Sequence, residues 1–348
     1  MFLTEYNFDT LCDFGNLYRA YEDAAKGRTW KDSVCKYLAN ALECTLYLQG
    51  QLRTGTYKLG AYRHHVVWEP KPRDAMSLPF KDKVVQHSLV DNILMPVFGR
   101  HFIQDNFASQ KGKGPDLARE RLEYFLRRYY RQHGSNEGWI LVCDVSKYFY
   151  TIDHELLRSK VAKLVDDQKV MDLLNMIIDS TDDPGIPIGN QTSQAFALLY
   201  LSDMDHFIKE RLRIKYYLRY MDDFVLIHED KEYLKYCLTE IERVIGEHRL
   251  RLNGKTQICP MAQGVDIMGF HFYLTESGKV VRKLRHRSKS KMRRKLHKYK
   301  RLYQAGRISK ERIDASFGAW QSHAAHGQTY HLVRSLQDLY NDIFDEEM

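Results

Sequence analysis

The sequence has few cysteines, and none of them lies at an informative spacing. Its six cysteines include no CxxC pair and no Cys/His cluster at zinc spacing, which excludes a zinc finger and a disulfide-built secreted domain. No apolar run approaches the roughly 18 residues that a membrane span requires. The N-terminus shows no basic segment followed by a long apolar stretch, so no secretory signal is predicted. These absences predict a cytoplasmic protein that acts without a membrane.

Positive charge is concentrated in one segment of the chain. The formal net charge is +8, and thirteen Lys and Arg residues without any acid lie between Lys279 and Arg301. Outside this segment 40 basic and 45 acidic residues remain. Such a stripe is typical of a polyanion-binding surface, because each cation near a phosphate releases condensed counterions. A solvated helix face is the alternative, but Met292, Leu296 and Tyr299 interleave at helical spacing and favour an ordered helix that faces nucleic acid.

The order of the predicted elements indicates an α+β fold. Periodicity and turn residues predict helices up to about residue 60, a strand at 61–68, a turn at 69–74, a helix at 83–98, a helix from 115 to about 131, a strand at 139–143, helices at 153–165 and 170–180, a long helix at 192–213, strands at 215–219 and 224–228, a helix at 232–248, and short strands at 249–252 and 264–273. After about residue 283 only helix is predicted. Together these elements describe an antiparallel sheet with helices on one face.

Two adjacent aspartates interrupt an otherwise apolar hairpin. Asp222 and Asp223 lie between two predicted strands, and Asp144 follows the apolar run WILVC. Burying such acids without a cation would be expensive, and carboxylates from neighbouring strands suit Mg²⁺. Two such ions about 3.5–4 Å apart can activate a 3′-hydroxyl and stabilise a leaving pyrophosphate. On spacing alone, an acidic cluster paired with Arg219 or Lys147 is the alternative.

Six segments resemble the motifs of reverse transcriptases, in the order that family has along the chain. They are the Lys71-Pro-Arg73 turn, the Asp144–Phe149 box, the Gly185–Gln194 loop and helix start, the Tyr220–Asp223 YxDD box, the Leu252–Thr256 lysine motif and the Ile267–Phe270 segment. A YxDD box alone is weak evidence, whereas six boxes in order are specific. The match covers roughly residues 60 to 275.

The resemblance implies a right-hand polymerase fold with fingers, an antiparallel-sheet palm that carries the YxDD hairpin, and a helical thumb. The implied division places the fingers and connecting helices at 1–134 and the palm at 135–282. A helical insertion at about 154–184 is expected to pack with the fingers. The basic helical thumb is expected at 283–348.

The resemblance also implies the catalytic and metal-binding residues. Asp144 and Asp222 are expected to bind two Mg²⁺ ions, with Mn²⁺ able to substitute. Asp223 is expected to support the site as the third catalytic carboxylate. The carbonyl of Val145 is expected to touch the ion on the nucleotide side. The implied activity is RNA-directed DNA polymerase.

Further residues are implied to contact the incoming nucleotide. Lys71 and Arg73 would neutralise the triphosphate, the arginine by a bidentate contact; exposed loop cations are the alternative. Phe149 would act as a steric gate against a 2′-hydroxyl, although an aromatic residue there also suits a core. Lys255 would protonate pyrophosphate as a general acid, or is a surface lysine.

Two further segments are implied to position the base pair and the primer. Ile188 and Gly189 belong to the loop that packs under the templating pair. Met268, Gly269 and Phe270 correspond to the primer grip.

One departure from the common pattern points to a subtype. Most reverse transcriptases carry glutamine before the glycine of the loop, and this chain has Ile188 before Gly189. With Thr192-Ser193-Gln194 in place of the usual Ser-Pro, the loop resembles that of diversity-generating retroelements. These bacterial or phage systems copy a template-repeat RNA into cDNA with errors at adenines. Isoleucine offers shape but no hydrogen bond to the nascent pair, which would lower discrimination by about 1–3 kcal/mol; a neutral packing variant is the alternative.

The resemblance to this subtype implies specific partners. Two alternative functions stay open. The expected partners are template RNA, the cDNA or primer strand, dNTPs and a small basic accessory protein, in the cytoplasm of a bacterial or phage-infected cell. A defence-type bacterial reverse transcriptase would share the carboxylates. A non-catalytic RNA-binding homologue would usually lose one, and here all three are present.

Overall fold

The computed structural model describes residues 5–68 and 72–344. Two compact units are distinguished by their internal contacts. One comprises Met1–Gly114, Cys143–Phe224 and Tyr236–Thr256, and the other comprises Pro115–Val142, Val225–Lys235 and Gln257–Met348. In the described part of the chain no helix combines the length and apolarity needed to cross a membrane. The boundaries proposed for fingers, palm and thumb stay a prediction.

Helices make up most of the described chain. In chain order they are α1 (Phe8–Cys12), α2 (Phe14–Ala25), α3 (Asp32–Ala39), α4 (Ala41–Arg53), α5 (Phe80–Leu89), α6 (Met95–Phe98), α7 (Pro115–His133), α8 (Tyr148–Thr151), α9 (His154–Ala162), α10 (Gln168–Ile178), α11 (Gln191–Tyr200), α12 (Ser202–His206), α13 (Lys231–Glu247), α14 (His286–Gln304), α15 (Lys310–Ala325) and α16 (Tyr330–Phe344). A π-helical segment, Val90–Leu94, joins α5 to α6, a 3₁₀ turn at Gly99–His101 follows α6, and a second π-helical segment, Phe207–Arg211, follows α12.

Short strands form three sheets. The strands are β1 (Arg63–Val67), β2 (Arg73–Ser77), β3 (Trp139–Asp144), β4 (Tyr216–Tyr220), β5 (Asp223–His228), β6 (Gln257–Pro260), β7 (Val265–Ile267), β8 (Phe270–Leu274) and β9 (Val280–Leu284). Their orders are β1-β2, β4-β5-β3-β6 and β7-β8-β9. The antiparallel registers include Val66 with Asp74, Leu141 with Ile258, and Ile267 with Phe270.

Several predicted boundaries were wrong. Arg73 and Asp74 were assigned to the turn but begin β2, because they pair with β1. The long helix predicted at 192–213 is interrupted at Leu201 and ends in the π-helical segment. No strand forms at 249–252, where Leu252 makes a single bridge to Val145. Neither β6 nor β9 was predicted, because their four- and five-residue runs mix polar and apolar residues.

Helix α11 lies at the centre of the first unit. Apart from Gln191 and Gln194, all of its residues are buried. A helix that is buried on nearly every side is a core element rather than an amphipathic surface helix. It therefore provides a firm support for the residues that contact it.

The segment at 154–184 makes specific contacts with the N-terminal part of its own unit. The backbone N–H of Phe8 donates to Asp167 Oδ2 at 2.9 Å. The hydroxyls of Tyr62 and Ser180 lie 3.0 Å apart. Asp167 also caps α10 by accepting the N–H groups of Lys169 and Val170.

In the second unit, α14, α15 and α16 pack around a common apolar cluster. Its buried members are Met292, Leu296, Ile313, Phe317, Leu336, Tyr340, Ile343 and Phe344. Lys295 and Tyr299 of α14 both donate to Ser316 Oγ on α15, at 2.8 and 3.0 Å. The prediction of an ordered basic helix with one packed face is therefore confirmed, and its binding to nucleic acid stays a prediction.

Candidate active site

Asp222 and Asp223 lie where β4 turns into β5. The turn consists of Met221 and Asp222, and Asp223 is the first residue of β5. Met221 has a φ of +59°, a conformation that costs a non-glycine residue about 1–2 kcal/mol. Because glycine usually occupies such a position in a two-residue hairpin, contacts elsewhere must hold this turn in place.

A buried arginine provides such a contact. Arg219 on β4 is fully buried, and its Nη1 donates to the carbonyl of Met221 at 2.9 Å. Its Nη2 donates to the carbonyl of Leu198 on α11 at 3.1 Å. The guanidinium thus ties the acidic turn to the central helix.

The charge of Arg219 is matched by Asp205 on α12, which is also fully buried. The contact is bidentate, with Nε to Oδ1 at 2.8 Å and Nη2 to Oδ2 at 2.7 Å. Tyr217 adds its hydroxyl to Asp205 Oδ1 at 2.5 Å. Burial alone lowers the pKa of Arg219, but the Asp205 carboxylate raises it above its usual value, so the guanidinium keeps its charge.

The backbone of Arg219 is held as firmly as its side chain. Its N–H donates to the carbonyl of Asp105 at 2.9 Å, and its carbonyl accepts the N–H of Phe107 at 3.0 Å. The 105–107 segment therefore runs beside β4 and covers the strand just before the acidic turn.

Asp144 lies at the end of β3, and the backbone brings it to the acidic turn. The N–H of Val145 donates to the carbonyl of Asp222 at 3.3 Å. The carbonyl of Asp144 accepts the N–H of Asn253 at 2.7 Å. Lys255 is exposed on this last segment, and its N–H donates to Asn253 Oδ1 at 3.2 Å.

The electrostatics of Asp222 show that it lies close to a second acid. Burial raises the pKa of Asp222 above its ordinary value, and the Asp144 carboxylate raises it further. Arg73 at the start of β2 and the buried Arg219 act in the opposite direction. Asp222 is therefore an acid whose charged form would gain from an additional cation.

The carboxylates at the acidic turn meet part of the ligand requirement of a hard divalent cation. Asp144 and Asp222 supply carboxylate oxygens at neighbouring backbone positions, the ligand type that Mg²⁺ prefers. Within residues 5–68 and 72–344, however, no three His, Cys, Asp or Glu side chains form a metal-binding group. The fit rests on the Asp144 and Asp222 pair, and the participation of Asp223 stays a prediction.

The strand that carries Arg73 is bonded to the Ile188–Gly189 loop. The N–H of Met76 on β2 donates to the carbonyl of Ile188 at 2.9 Å. Gly189 has a φ of +121°, and a Cβ there would lie 2.5 Å from the carbonyl oxygen of Met76. Only glycine permits this close backbone approach.

Phe149 is half-buried, and its backbone is tied to the same loop. Its carbonyl accepts the N–H of Ile186 at 2.7 Å, and its ring packs edge-on against Tyr148 with 5.8 Å between centroids. Tyr148 is buried and donates to the carbonyl of Ala197 on α11 at 2.5 Å. The position of Phe149 is thus fixed from both sides.

The predicted primer-grip residues belong to the second unit. Met268 and Gly269 form the turn between β7 and β8, with φ values of +46° and +87°. Phe270 is the first residue of β8 and is fully buried.

The structure brings together several of the predicted residues of the first unit. Asp144, Val145, Asp222 and Arg73 cluster, whereas Lys71 lies outside the described residues. The alternative in which Arg219 forms an ion pair with the acidic cluster is wrong, because the ion-pair partner of Arg219 is Asp205.

Sequence reasoning missed Asp205, Tyr217 and Met76. The available signal for the first two was a charged residue inside the apolar strand YYLRY, which requires a buried partner. Met76 contacts the loop through its backbone N–H, and a pattern of side chains cannot predict such a contact.

The antiparallel sheet with its acidic hairpin and surrounding helices defines a right-hand nucleic-acid polymerase fold, as predicted. Residues 71–272 match the family described as "Reverse transcriptase (RNA-dependent DNA polymerase)". The chain belongs to the reverse transcriptase family.

Among solved structures, telomerase from Candida albicans in complex with a TWJ fragment of telomeric RNA is similar, with a TM-score of 0.50 and 12% identity. The match covers 70% of this chain and 51% of that one, so the chain spans about half the length of that relative. Apo telomerase from Candida tropicalis gives a TM-score of 0.49 and 13% identity over 65% of this chain and 49% of that one. At 12% identity, the Candida albicans match supports the fold alone. No curated protein matches the chain closely enough to add to this comparison.

Replacing Arg219 tests the buried ion pair. Arg219→Met leaves the Asp205 carboxylate buried without a cation and should lower the free energy of unfolding by about 3–5 kcal/mol. Adding Asp205→Asn should recover part of that loss, because the neutral amide is cheaper to bury. Urea unfolding of both variants measures the effect, with the exposed Arg243→Met as the matched control. Equal stability of Arg219→Met and the wild type would contradict the role given to this pair.

Replacing Gly189 tests the close approach of β2 to the loop. Gly189→Ala should break the hydrogen bond from Met76 N–H to the Ile188 carbonyl and lower the free energy of unfolding by about 1–3 kcal/mol. The reason is that alanine is strained at this positive φ and its Cβ would meet the carbonyl oxygen of Met76. Amide hydrogen exchange in a peptide covering β2 should become faster. Gly254→Ala, with no atom within 4 Å of the added Cβ, should leave exchange in β2 unchanged. Equal protection in both variants would contradict the tight contact.

Proposed function

We propose that this chain is an RNA-directed DNA polymerase that extends a primer along an RNA template by two-metal nucleotidyl transfer. Asp144, Asp222 and Asp223 are the proposed catalytic carboxylates. The observation that carries the proposal is the proximity of Asp144 to Asp222: the N–H of Val145, next to Asp144, donates to the carbonyl of Asp222 at 3.3 Å. Burial raises the pKa of Asp222, and the Asp144 carboxylate raises it further. A structural ion pair would lower the pKa of an acid, whereas a site for cations leaves its acids in mutual repulsion until the cations bind.

Reverse transcriptases generally use divalent metal ions, and Mg²⁺ is the proposed metal here. The carboxylates of Asp144 and Asp222 and the carbonyl of Val145 would hold the ions. Bound there, the ions would activate the primer 3′-hydroxyl and stabilise the leaving pyrophosphate. The Arg219–Asp205 pair supports the proposal because it fixes the turn from which Asp222 projects.

Four other residues are proposed to handle the nucleotide. Arg73 is close enough to lower the pKa of Asp222, so a triphosphate bound at the acids would lie within reach of its guanidinium. Phe149, fixed from both sides, is suited to reject a 2′-hydroxyl by shape. Lys255 is exposed on the segment bonded to Asp144, where it is placed to protonate pyrophosphate. Lys71 is proposed as a second triphosphate cation.

The subtype proposed is that of the diversity-generating retroelements, with errors at template adenines. Ile188 is engaged through its carbonyl, and its half-buried side chain has no polar group to offer a base pair. A small basic accessory protein is the proposed partner for holding the template RNA. Accurate copying would instead favour a defence-type enzyme, and the absence of synthesis would favour a non-catalytic RNA-binding homologue.

Asp222→Asn tests the chemistry. Loss of one metal-binding charge should reduce primer extension on an RNA template by about a thousandfold, because such stabilisation is worth several kcal/mol. Single-nucleotide incorporation with Mg²⁺ measures the rate, with and without any small basic protein encoded nearby. Asp182→Asn, in an exposed Asp-Asp pair, is the matched control and should retain the wild-type rate. Full activity of Asp222→Asn would remove the proposed mechanism.

Ile188→Gln tests the subtype. If the missing polar contact lowers discrimination, glutamine should reduce misincorporation opposite template adenine by roughly tenfold, which corresponds to about 1.4 kcal/mol. Sequencing the cDNA by template base gives the error spectrum. Leu198→Met, which keeps a buried apolar side chain on α11, controls for repacking. An unchanged error spectrum in Ile188→Gln would show that this residue does not determine the errors.

A further inference from the structure

The loop between α2 and α3 carries a tryptophan that the fold does not bury. Trp30 is 76% exposed, although a buried tryptophan ring would contribute a large apolar area to the core. A single exposed apolar side chain is ordinary on a protein surface. The case for a bound partner therefore depends on how this loop is held and on the charges that surround the ring.

Hydrogen bonds hold the loop in a defined conformation. The N–H of Lys31 donates to the carbonyl of Arg28 at 3.0 Å. The thiol of Cys35 on α3 donates to the carbonyl of Thr29 at 2.9 Å. Trp30 therefore projects from an ordered turn, and little conformational entropy is lost when a partner contacts its ring.

Two cations of the same loop flank the ring. Nζ of Lys31 lies over the Trp30 ring, 5.1 Å from its centroid. Nη1 of Arg28 donates to the carbonyl of Ala24 at 3.2 Å, and because a guanidinium has five N–H donors, most of them remain for a ligand. The next acid along the chain, Asp32, lies in the first turn of α3, where the helix dipole favours its charge.

A third cation reaches this loop from α5. Lys83 is half-buried, and burial lowers its pKa; Arg28 and Lys31 lower the pKa further. In the described part of the chain no carboxylate forms an ion pair with any of these three cations, and the nearby Asp23 pairs with Lys26 at 2.5 Å. A half-buried lysine beside two like charges would gain from a bound anion.

We propose that the loop Arg28–Lys31 and Lys83 bind a single-stranded segment of nucleic acid. One base stacks on Trp30, and the three cations hold the phosphates beside that base. Proteins that bind single strands combine cations along the backbone with aromatic rings on which bases stack. A lipid surface or an apolar protein partner would require a wider apolar face than one ring.

The site lies outside the segment by which the family was recognised, because the loop precedes residues 71–272. The strand is assigned as template RNA that is not paired with the primer, and this assignment rests on the proposed polymerase function. The loop would then hold the template apart from the hybrid that occupies the active site. It would contribute affinity for the template without taking part in the chemistry.

Stacking and charge make contributions that salt separates. Each phosphate contact to a single strand adds about 0.7 to the slope of log affinity against log salt concentration, and a stacked ring adds nothing to it. Arg28→Gln should therefore reduce this slope by about 0.7. Trp30→Ala should lower the affinity at every salt concentration and leave the slope unchanged.

The test is fluorescence anisotropy with the full chain and labelled DNA-primer–RNA-template hybrids, without metal or nucleotide. The RNA strand either ends flush or carries an unpaired 5′ tail of about 10 nucleotides. Trp30→Ala should weaken binding of the tailed hybrid about tenfold, the loss of one stacked base, and should bind the flush hybrid like the wild type. Trp30→Phe, which keeps a ring, should restore most of the affinity.

Tyr47→Ala is the matched control, because Tyr47 is a 69% exposed aromatic residue on α4. It should bind both hybrids like the wild type. Thermal unfolding of each variant establishes that it is folded.

Three outcomes would overturn the proposal. The first is wild-type affinity of Trp30→Ala for the tailed hybrid, and the second is an equal loss on the flush hybrid, which would indicate an indirect effect. The third is a loss confined to a hybrid with an unpaired DNA tail, which would assign the site to the cDNA strand. Because binding needs no turnover, a wild type that shows the Trp30-dependent affinity but does not extend the primer would refute only the polymerase proposal.

Discussion

The ion pair between Arg219 and Asp205 is the interaction on which the candidate active site depends. A fully buried arginine and aspartate stabilise little by themselves, since desolvating both charges offsets most of their attraction. Their contribution here is to fix the position of the acidic turn. The guanidinium has donors left over after the bidentate contact, and it uses them on the carbonyls of Met221 and Leu198. A turn that would otherwise be strained is thereby attached to the most buried helix of its unit.

The rest of the site is assembled largely by backbone hydrogen bonds. Val145 bonds to Asp222, Asn253 to Asp144, Met76 to Ile188, and Ile186 to Phe149. Backbone bonds fix positions whichever side chains the residues carry, and such bonds hold Asp144, Phe149 and Ile188 in place. Gly189 is the exception in which the side chain matters through its absence, because β2 passes within contact distance of the loop.

Much of the fold and of the candidate site could be predicted from the sequence. The elements that were missed have a common physical reason. The acidic turn was recognisable because two aspartates between apolar strands require compensation, and the basic helix because its apolar residues recur at helical spacing. The start of β2 at Arg73 and the strands β6 and β9 were missed because pairing with a neighbouring strand, rather than local composition, creates them. The break of the predicted long helix at Leu201 also lacked a local glycine or proline signal.

The sequence by itself determined the family, the order of the motifs and the identity of the acids, because these depend on residue types and their spacing along the chain. Tertiary structure alone decided that Arg219 pairs with Asp205 rather than with the acidic turn, and that His323 lies against the Met268–Gly269 turn. Both facts join residues on different elements: Asp205 lies on α12, 14 residues before Arg219. Between Gly269 and His323 on α15 lie β8, β9 and the whole of α14. Such contacts are set by how the elements pack, and no local pattern encodes them.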